Sequence, residues 1–279
     1  MRILTFNLNG IRSAQRKGFF EWLAAQPDID ACMFQEIKAS ASDLAPLDAA
    51  LRSMGFGHVQ WHCAQKPGYS GTGLCSRQAP TSHSQGFGVP EFDGEGRLCH
   101  ASYGALELAS AYFPSGSAGP ERQASKMRFL AAFPSWTAEV SSRGASAIVG
   151  ADLNIAHANL DLKNWKGNVE APGCTSAERA WLSAWLAQGW ADCARDLRPG
   201  DPFYTWWSQR AGSRQRDVGW RIDAQIATAD LAAKALAATV LKDPVHSDHA
   251  PLVVDYEGTF SSWRDRPAPM SSASSPSAI

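Results

Sequence analysis

Ser247-Asp248-His249-Ala250-Pro251, running straight into Leu252-Val253-Val254, places a carboxylate and an imidazole just before an apolar stretch of strand character. A buried strand has no need of an Asp-His pair at its mouth, so the pair reads as chemical equipment. The other end of the chain repeats the arrangement. Ile3-Leu4-Thr5-Phe6 reads as a short strand, and Asn7-Leu8-Asn9-Gly10 follows it. If the two strands pair, the chain closes on its own active site.

Between these ends the apolar pattern switches repeatedly between periods of about 2 and about 3.6 residues, the signatures of strands and helices. It predicts strands at Arg2–Phe6, Ala31–Gln35, Val59–Ala64, Gly73–Ser76, Ala105–Tyr112, Ala147–Ala151, Arg221–Ala227 and Leu252–Tyr256. Helices are expected at Gly18–Ala25, Leu47–Met54, Glu121–Val140 and Ser176–Gln188, the third split at Pro134, which removes a backbone donor. Thr175 is placed to cap the fourth, with Glu178 in its first turn. Interleaved elements over the whole length indicate one α/β domain spanning residues 1–258, and the Ser-, Pro- and Ala-rich residues 259–279 read as a disordered tail.

Composition narrows the function. With 279 residues, 44% of them apolar, and 11 tryptophans, the chain can bury a large core. A net charge of −1 means that any nucleic-acid surface must be a local patch of Lys and Arg. The six cysteines form no CxxC pair and no zinc spacing. Cys32 and Cys75 sit in apolar runs as small hydrophobes, as suits a reducing compartment. With no signal-like start and no apolar run of membrane length, a soluble, cytoplasmic protein that needs no membrane is expected.

Polar clusters recur at the ends of the expected strands: Asn7 and Asn9, Gln35-Glu36, Tyr112, Asp152-x-Asn154, Asp223, and Asp248-His249. Any one of them is an ordinary turn former or helix cap. Together they suit one reaction. Glu36, Asp152 and Asp248 offer oxygen ligands to a hard cation such as Mg2+, with Mn2+ as a substitute. Asp152 can orient or deprotonate a water, with Asn154 positioning it. His249 can donate to a phosphoryl oxygen while Asp223 holds its tautomer, and Tyr112 can steady a charged oxygen. The set describes metal-assisted attack of water on a phosphodiester. Other motifs fail. Gly71-Thr72-Gly73 lacks the rest of a dinucleotide or phosphate loop, and there is no His-Glu-x-x-His run and no Gly-x-Ser-x-Gly elbow. The remaining histidines read as surface or hydrogen-bonded core residues, with His157 and His246 kept in view because they neighbour the expected site.

In order along residues 1 to about 257, Phe6-Asn7-Leu8-Asn9-Gly10-Ile11-Arg12, Gln35-Glu36-Ile37-Lys38, Gly68-Tyr69-Ser70-Gly71-Thr72-Gly73, Tyr112-Phe113-Pro114, Asp152-Leu153-Asn154, Gly219-Trp220-Arg221-Ile222-Asp223 and Ser247-Asp248-His249-Ala250-Pro251 resemble the exonuclease III family of apurinic/apyrimidinic endonucleases, within the endonuclease/exonuclease/phosphatase superfamily. The resemblance implies a four-layered α/β sandwich, two central mixed sheets flanked by helices, with the site at one end of the sheets. It makes Glu36 the main metal ligand and Asp248 an outer one. Asn9, Asp152 and Asn154 complete the candidate set, and Asn7 belongs to the hydrogen-bonded shell. Asp152 activates water, Tyr112 and His249 contact the scissile phosphate, and Asp223 pairs with His249. Trp206, Trp220 and Ile222 would line a pocket for a base-less sugar, although core or surface stacking is as good a reading of Trp206 and Trp207. Arg12, Tyr69 and Lys38 would meet DNA, alongside Arg16, Lys17, Lys66, Lys163 and Lys166, each of which singly reads as solvated surface charge.

Two departures are noted. Ala151 stands where the family usually has Gly, which a methyl group tolerates unless φ is positive. Asn9 replaces the Asp of some members. The implied function is a Mg2+-dependent, monomeric DNA repair nuclease. It cuts 5′ to abasic sites in duplex DNA, or removes 3′ blocking groups and nucleotides. The alternatives are a related phosphoesterase for a small molecule or lipid headgroup, and a non-catalytic relative. The first is disfavoured by the Gly-Trp-Arg-Ile-Asp run, the second by the presence of Glu36, Asp152 and His249 together.

Overall fold

The apolar stretches that alternate along the chain become strands of two sheets in the computed structural model, which describes residues 1–210 and 212–264. In chain order the strands are β1 (Arg2–Asn7), β2 (Ala31–Gln35), β3 (His58–His62), β4 (Thr72–Ser76), β5 (Ser82–Gln85), β6 (Leu98–Tyr103), β7 (Leu106–Tyr112), β8 (Ser146–Asp152), β9 (Trp190–Asp192), β10 (Trp206–Trp207), β11 (Gly219–Trp220), β12 (Asp223–Thr228), β13 (Ala235–Val240) and β14 (Leu252–Tyr256). One six-stranded sheet runs β13-β14-β1-β2-β4-β3 and the other β5-β6-β7-β8-β12-β9, with β10-β11 as a separate ribbon. Both are mixed: β1–β2 and β7–β8 pair in parallel, and the other pairs are antiparallel.

The first and last expected strands do pair, Ile3 opposite Val254 and Thr5 opposite Leu252. The sheets meet face to face over Ile3, Met33, Leu108, Ile148, Leu252 and Val254. Helices cover their outer faces, one through Phe19, Phe34 and Leu47, the other through Phe129, Phe133 and Trp185. The expected four-layered sandwich is therefore the observed one. Polar bridges cross the sheet interface: Gln35 donates to Ser110 Oγ and Gly150 O, both at 3.0 Å, and Gln225 donates to Ile3 O at 2.9 Å. Gly150 is required by the close approach of the sheets, because a Cβ there would lie 2.3 Å from Met33 Cε. Its neighbour Ala151 is buried in β8 without a positive φ, so the methyl group is accommodated.

Pro134 divides the expected long helix into Pro120–Ala132 and Pro134–Ser142. The helix expected from Leu47 begins six residues earlier, at Ala41, with Pro46 inside it. The packed chain also continues past 258. Phe260–Arg264 is helical, and Phe260 and Trp263 are buried in the core between the sheets, because their rings supply apolar surface that a Ser/Pro/Ala-rich composition hides. Residues 265–279 of the expected tail lie outside the described residues. None of the described helices is long and apolar enough to cross a membrane.

Candidate active site

Strand register assembles the site. In the second sheet Asp152 lies opposite Tyr112 on one side and Asp223 on the other, so three functional groups share one row at the end of β7, β8 and β12. In the first sheet Asn7 pairs with Gln35, which delivers Glu36 one residue beyond. A bridge from Trp206 to His249 brings the Ser-Asp-His segment over the same edge. The six groups come from distant parts of the chain and meet because their strands end together.

Asn7 is the hub. Its Nδ2 donates to Glu36 Oε1 at 2.8 Å and to Asp152 Oδ2 at 2.7 Å, and its Oδ1 accepts from the Asn9 N–H at 2.9 Å. Asn9 Nδ2 donates to Asp248 Oδ1 at 2.9 Å. Lys38 Nζ lies 2.6 Å from Glu36 Oε2 and 2.6 Å from Asn9 Oδ1. Asp152 Oδ1 accepts from the Asn154 N–H at 2.9 Å, and Asn154 Nδ2 donates to Phe113 O. His249 Nδ1 sits 2.9 Å from Asp223 Oδ2, and its Nε2 faces Asp152 Oδ2 at 4.0 Å.

The backbone is held here in a sparsely populated conformation. Asn9, Glu36, Lys38, Ser70 and Asn154 have φ between 43 and 51°. For residues other than glycine such values cost energy and persist only where surrounding structure enforces them. Each of these residues belongs to the site or to the turns that carry it.

The electrostatics follow from crowding carboxylates in a dry place. Burial and the Asp223 charge push the Asp152 carboxyl up to about 8, against the pull of His249. Burial works against a charged imidazole, but the Asp223 carboxylate outweighs it, and with Asp152 and Asp248 raises His249 to about 10. Glu36 is held below its usual range because Lys38 and Asn7 overcome its burial. Burial and the Glu36 and Asp152 charges raise Tyr112 well above its normal value, so it stays a neutral hydroxyl donor.

Four carboxylates (Glu36, Asp152, Asp223, Asp248) thus face one lysine and one imidazolium, an excess of negative charge that suits a divalent cation. Donor atoms of Glu36, Asp152 and His249 lie within 4.8 Å of one another. Hard oxygen donors beside this charge excess fit Mg2+-like chemistry. Asp248 borders the same cavity, its two oxygens accepting from Asn9 and from Trp206 Nε1.

Above this floor opens a cavity of about 270 Å³. Trp206, Trp220 and Ile222 line it with apolar surface, and Ser115-Gly116-Ser117 and Pro172-Gly173 complete the lining, Gly173 next to Trp220. A family model described as the endonuclease/exonuclease/phosphatase family matches residues 4–249. The chain belongs to that family. Over 255 residues it is 34% identical to an exodeoxyribonuclease of Bacillus subtilis, covering 90% of this chain and 98% of the relative. A DNA repair nuclease of Danio rerio is 30% identical over 257 residues, 91% of this chain and 81% of the relative. Among solved structures, an AP endonuclease from Archaeoglobus fulgidus matches with a TM-score of 0.83 at 26% identity, covering 92% of this chain and 100% of that one.

Not every residue singled out by motif belongs to the cavity of this family member. Trp207 is buried, with its N–H on Asp217, so its role is packing, while Trp206 faces the cavity. Arg12 pairs with Asp43 at 3.0 Å on the surface, beside a groove that also holds Arg16 and Lys38. Tyr69 stands outside the cavity, its hydroxyl accepting from Arg97 Nη2 at 2.8 Å. His157 bonds Ser183 and His246 bonds Lys17 O, and neither lines the cavity. The sequence reading missed Arg97, which is buried and donates to Tyr112 O at 3.0 Å with its guanidinium over the Tyr112 ring. It also missed the Ser115–Ser117 wall, although this follows Tyr112-Phe113-Pro114 directly.

Proposed function

We propose that this chain is a metal-dependent DNA repair nuclease that hydrolyses phosphodiesters 5′ to abasic sites, or at blocked 3′ ends, of duplex DNA. The observation that carries this reading is the juxtaposition at one sheet edge of Glu36, Asp152 and the Asp223-paired His249, beneath a cavity with two tryptophan walls. The names of the relatives, exodeoxyribonuclease, DNA repair nuclease and AP endonuclease, support the same class.

Each residue has work to do at a stated atom. Asp152, set between Asn7 and the Asn154 N–H and 4.0 Å from His249 Nε2, is placed to take a proton from an attacking water. Asn7 and the Asn154 N–H fix the orientation of its two oxygens. His249, raised to about 10, is an imidazolium. Asp223 holds one of its N–H groups, and the other is free to stabilise negative charge on a phosphoryl oxygen. Tyr112 offers a hydroxyl to the same region. Glu36 and Asp152 would hold Mg2+, which as a Lewis acid polarises the phosphate. Trp206, Trp220 and Ile222 give an apolar surface against which a sugar without a base can rest. A normal nucleotide must be unstacked to reach such a pocket, and an abasic one needs little unstacking.

The test is the purified protein with Mg2+ on three duplexes: an internal abasic analogue, a nick bearing a 3′-phosphate, and a recessed 3′ end. Cleavage of at least one, abolished by EDTA and restored by Mg2+, is expected. Activity on none of them but on a small or lipid phosphodiester would replace this reading with the phosphoesterase alternative.

A further inference from the structure

Behind the cavity wall lies a pair of charges that the hydrolytic roles above leave unused. Lys126, on the helix Pro120–Ala132, and Glu178, in the first turn of the helix Ser176–Leu186, are both wholly buried, with Nζ 2.6 Å from Oε1. Lys126 also donates to Asn154 O at 2.7 Å. The second oxygen of Glu178 accepts from the Gly173 N–H at 2.8 Å, the Thr175 N–H at 3.0 Å and Thr175 Oγ1 at 2.8 Å. The Ala156 N–H donates to Gly173 O at 2.8 Å and closes the circuit.

One ion pair therefore joins two turns with different duties. Asn154 lies in the turn that orients Asp152, with its φ held at 51°. Gly173 lines the cavity beside Trp220, and a Cβ on it would lie 2.9 Å from Asn154 O, so the turns touch without slack. A buried ion pair is a poor source of stability, since desolvation offsets its attraction. What this one provides is position.

We propose that Lys126 and Glu178 are positioning residues, an ion-paired brace that holds the Asp152–Asn154 turn in register with the Gly173 wall of the cavity. The brace rests on the nuclease reading, since it aligns the water-activating carboxylate with the pocket for the sugar. Loss of either charge lets the Asn154 turn relax and the wall move with it. Asp152 then loses alignment, and the cavity loses its fit to the sugar.

The experiment compares the full chain with Lys126→Met, Glu178→Gln, the double variant, Asn154→Ala, and Asn154→Ala combined with Lys126→Met. Steady-state kinetics with Mg2+ use the abasic-analogue duplex. Amide hydrogen exchange follows the segments 152–156 and 172–175. Lys126→Met is expected to lower kcat about 10- to 100-fold and raise KM several-fold, with exchange faster in both segments and unchanged in the β7–β8 core. Asn154→Ala removes only the Nδ2 bond to Phe113 O and keeps the backbone oxygen that Lys126 holds, so the loss on Lys126→Met should persist in that background. The double variant leaves no lone buried charge and should fold even if a single variant does not, with the same loss of kcat.

Wild-type kcat in the double variant, or unchanged exchange in both segments, would each overturn the brace. A wild-type protein inactive on all three duplexes of the functional test would refute the nuclease reading instead. Exchange in the double variant would still decide the brace.

Discussion

Asp152 is pulled in opposite directions, upward by burial and by Asp223 and downward by His249, and it settles at about 8. Asp152→Asn keeps the shape, leaves one oxygen for the two bonds from Asn7 and the Asn154 N–H, and removes the base. Hydrolysis should fall by about 10²–10⁴-fold, the usual worth of a positioned proton acceptor, as read from initial rates on the preferred duplex. Stability should move the other way. A carboxyl with a folded pKa above its unfolded value of about 3.9 stabilises the fold below that value, and the contribution is lost as pH rises through 8. In EDTA at pH 9, Asp152→Asn should therefore melt no lower than the wild type in thermal scans. A clear drop would mean that the charged carboxylate is a structural asset. Glu36→Ala should need much more Mg2+ for half-maximal rate, and an unchanged titration would remove Glu36 from the ligand set.

The Gly219–Asp223 segment shows what a single stretch contributes to both pocket and core. Trp220 and Ile222 face the cavity, and Arg221 between them turns the other way. Its guanidinium meets Asp161 Oδ1 at 2.7 Å and Oδ2 at 3.1 Å, and Asp192 Oδ2 at 2.6 Å. Arg221→Met leaves Asp192 without its cation and Asp161 with Arg195 alone, and should cost about 3–5 kcal/mol. Burial raises Asp161, but Arg221 outweighs it and holds the carboxyl below its ordinary value. Its contribution is present above about pH 3.9 and is lost as pH falls through the depressed folded value. The gap in urea midpoint between wild type and Arg221→Met should thus be wide at pH 7 and narrow toward pH 3. A constant gap would exclude the ion pair as its source.

Elements with strong patterns were legible in the amino-acid order. Ala31–Gln35 and Leu252–Tyr256 carry runs of apolar residues, and their ends were read to the residue. Ser82–Gln85 has four exposed polar side chains and no period to detect, and Ala235–Val240 is built of small, half-exposed residues at a sheet edge. Pro46 hid the first turns of its helix, which the Ser40–Asp43 capping box secures from outside the apolar pattern. The site was legible where chemistry concentrates in short motifs. Arg97 and Lys126 were not, because an isolated charge in a sequence looks like surface and only the fold shows it buried, and Glu178 was read only as a first-turn acid.

For the whole molecule, the core extends further than composition indicated. Trp263 is 1% exposed, and Lys234 Nζ lies 4.9 Å from the centre of its ring. Trp263→Ala should cost about 3–5 kcal/mol and lower Tm by roughly 6–20 °C, measured by calorimetry. A shift within error would return the domain boundary to residue 258.

The pairing of β1 with β14 has a consequence in time. A ribosome makes Asn7 first and His249 last, at roughly 5–20 residues per second. Every nascent intermediate has Asn7 and Glu36 in hand but lacks the imidazole and the strand that seats β1. The site is complete only once His249 and β14 have followed every other member of it out of the ribosome.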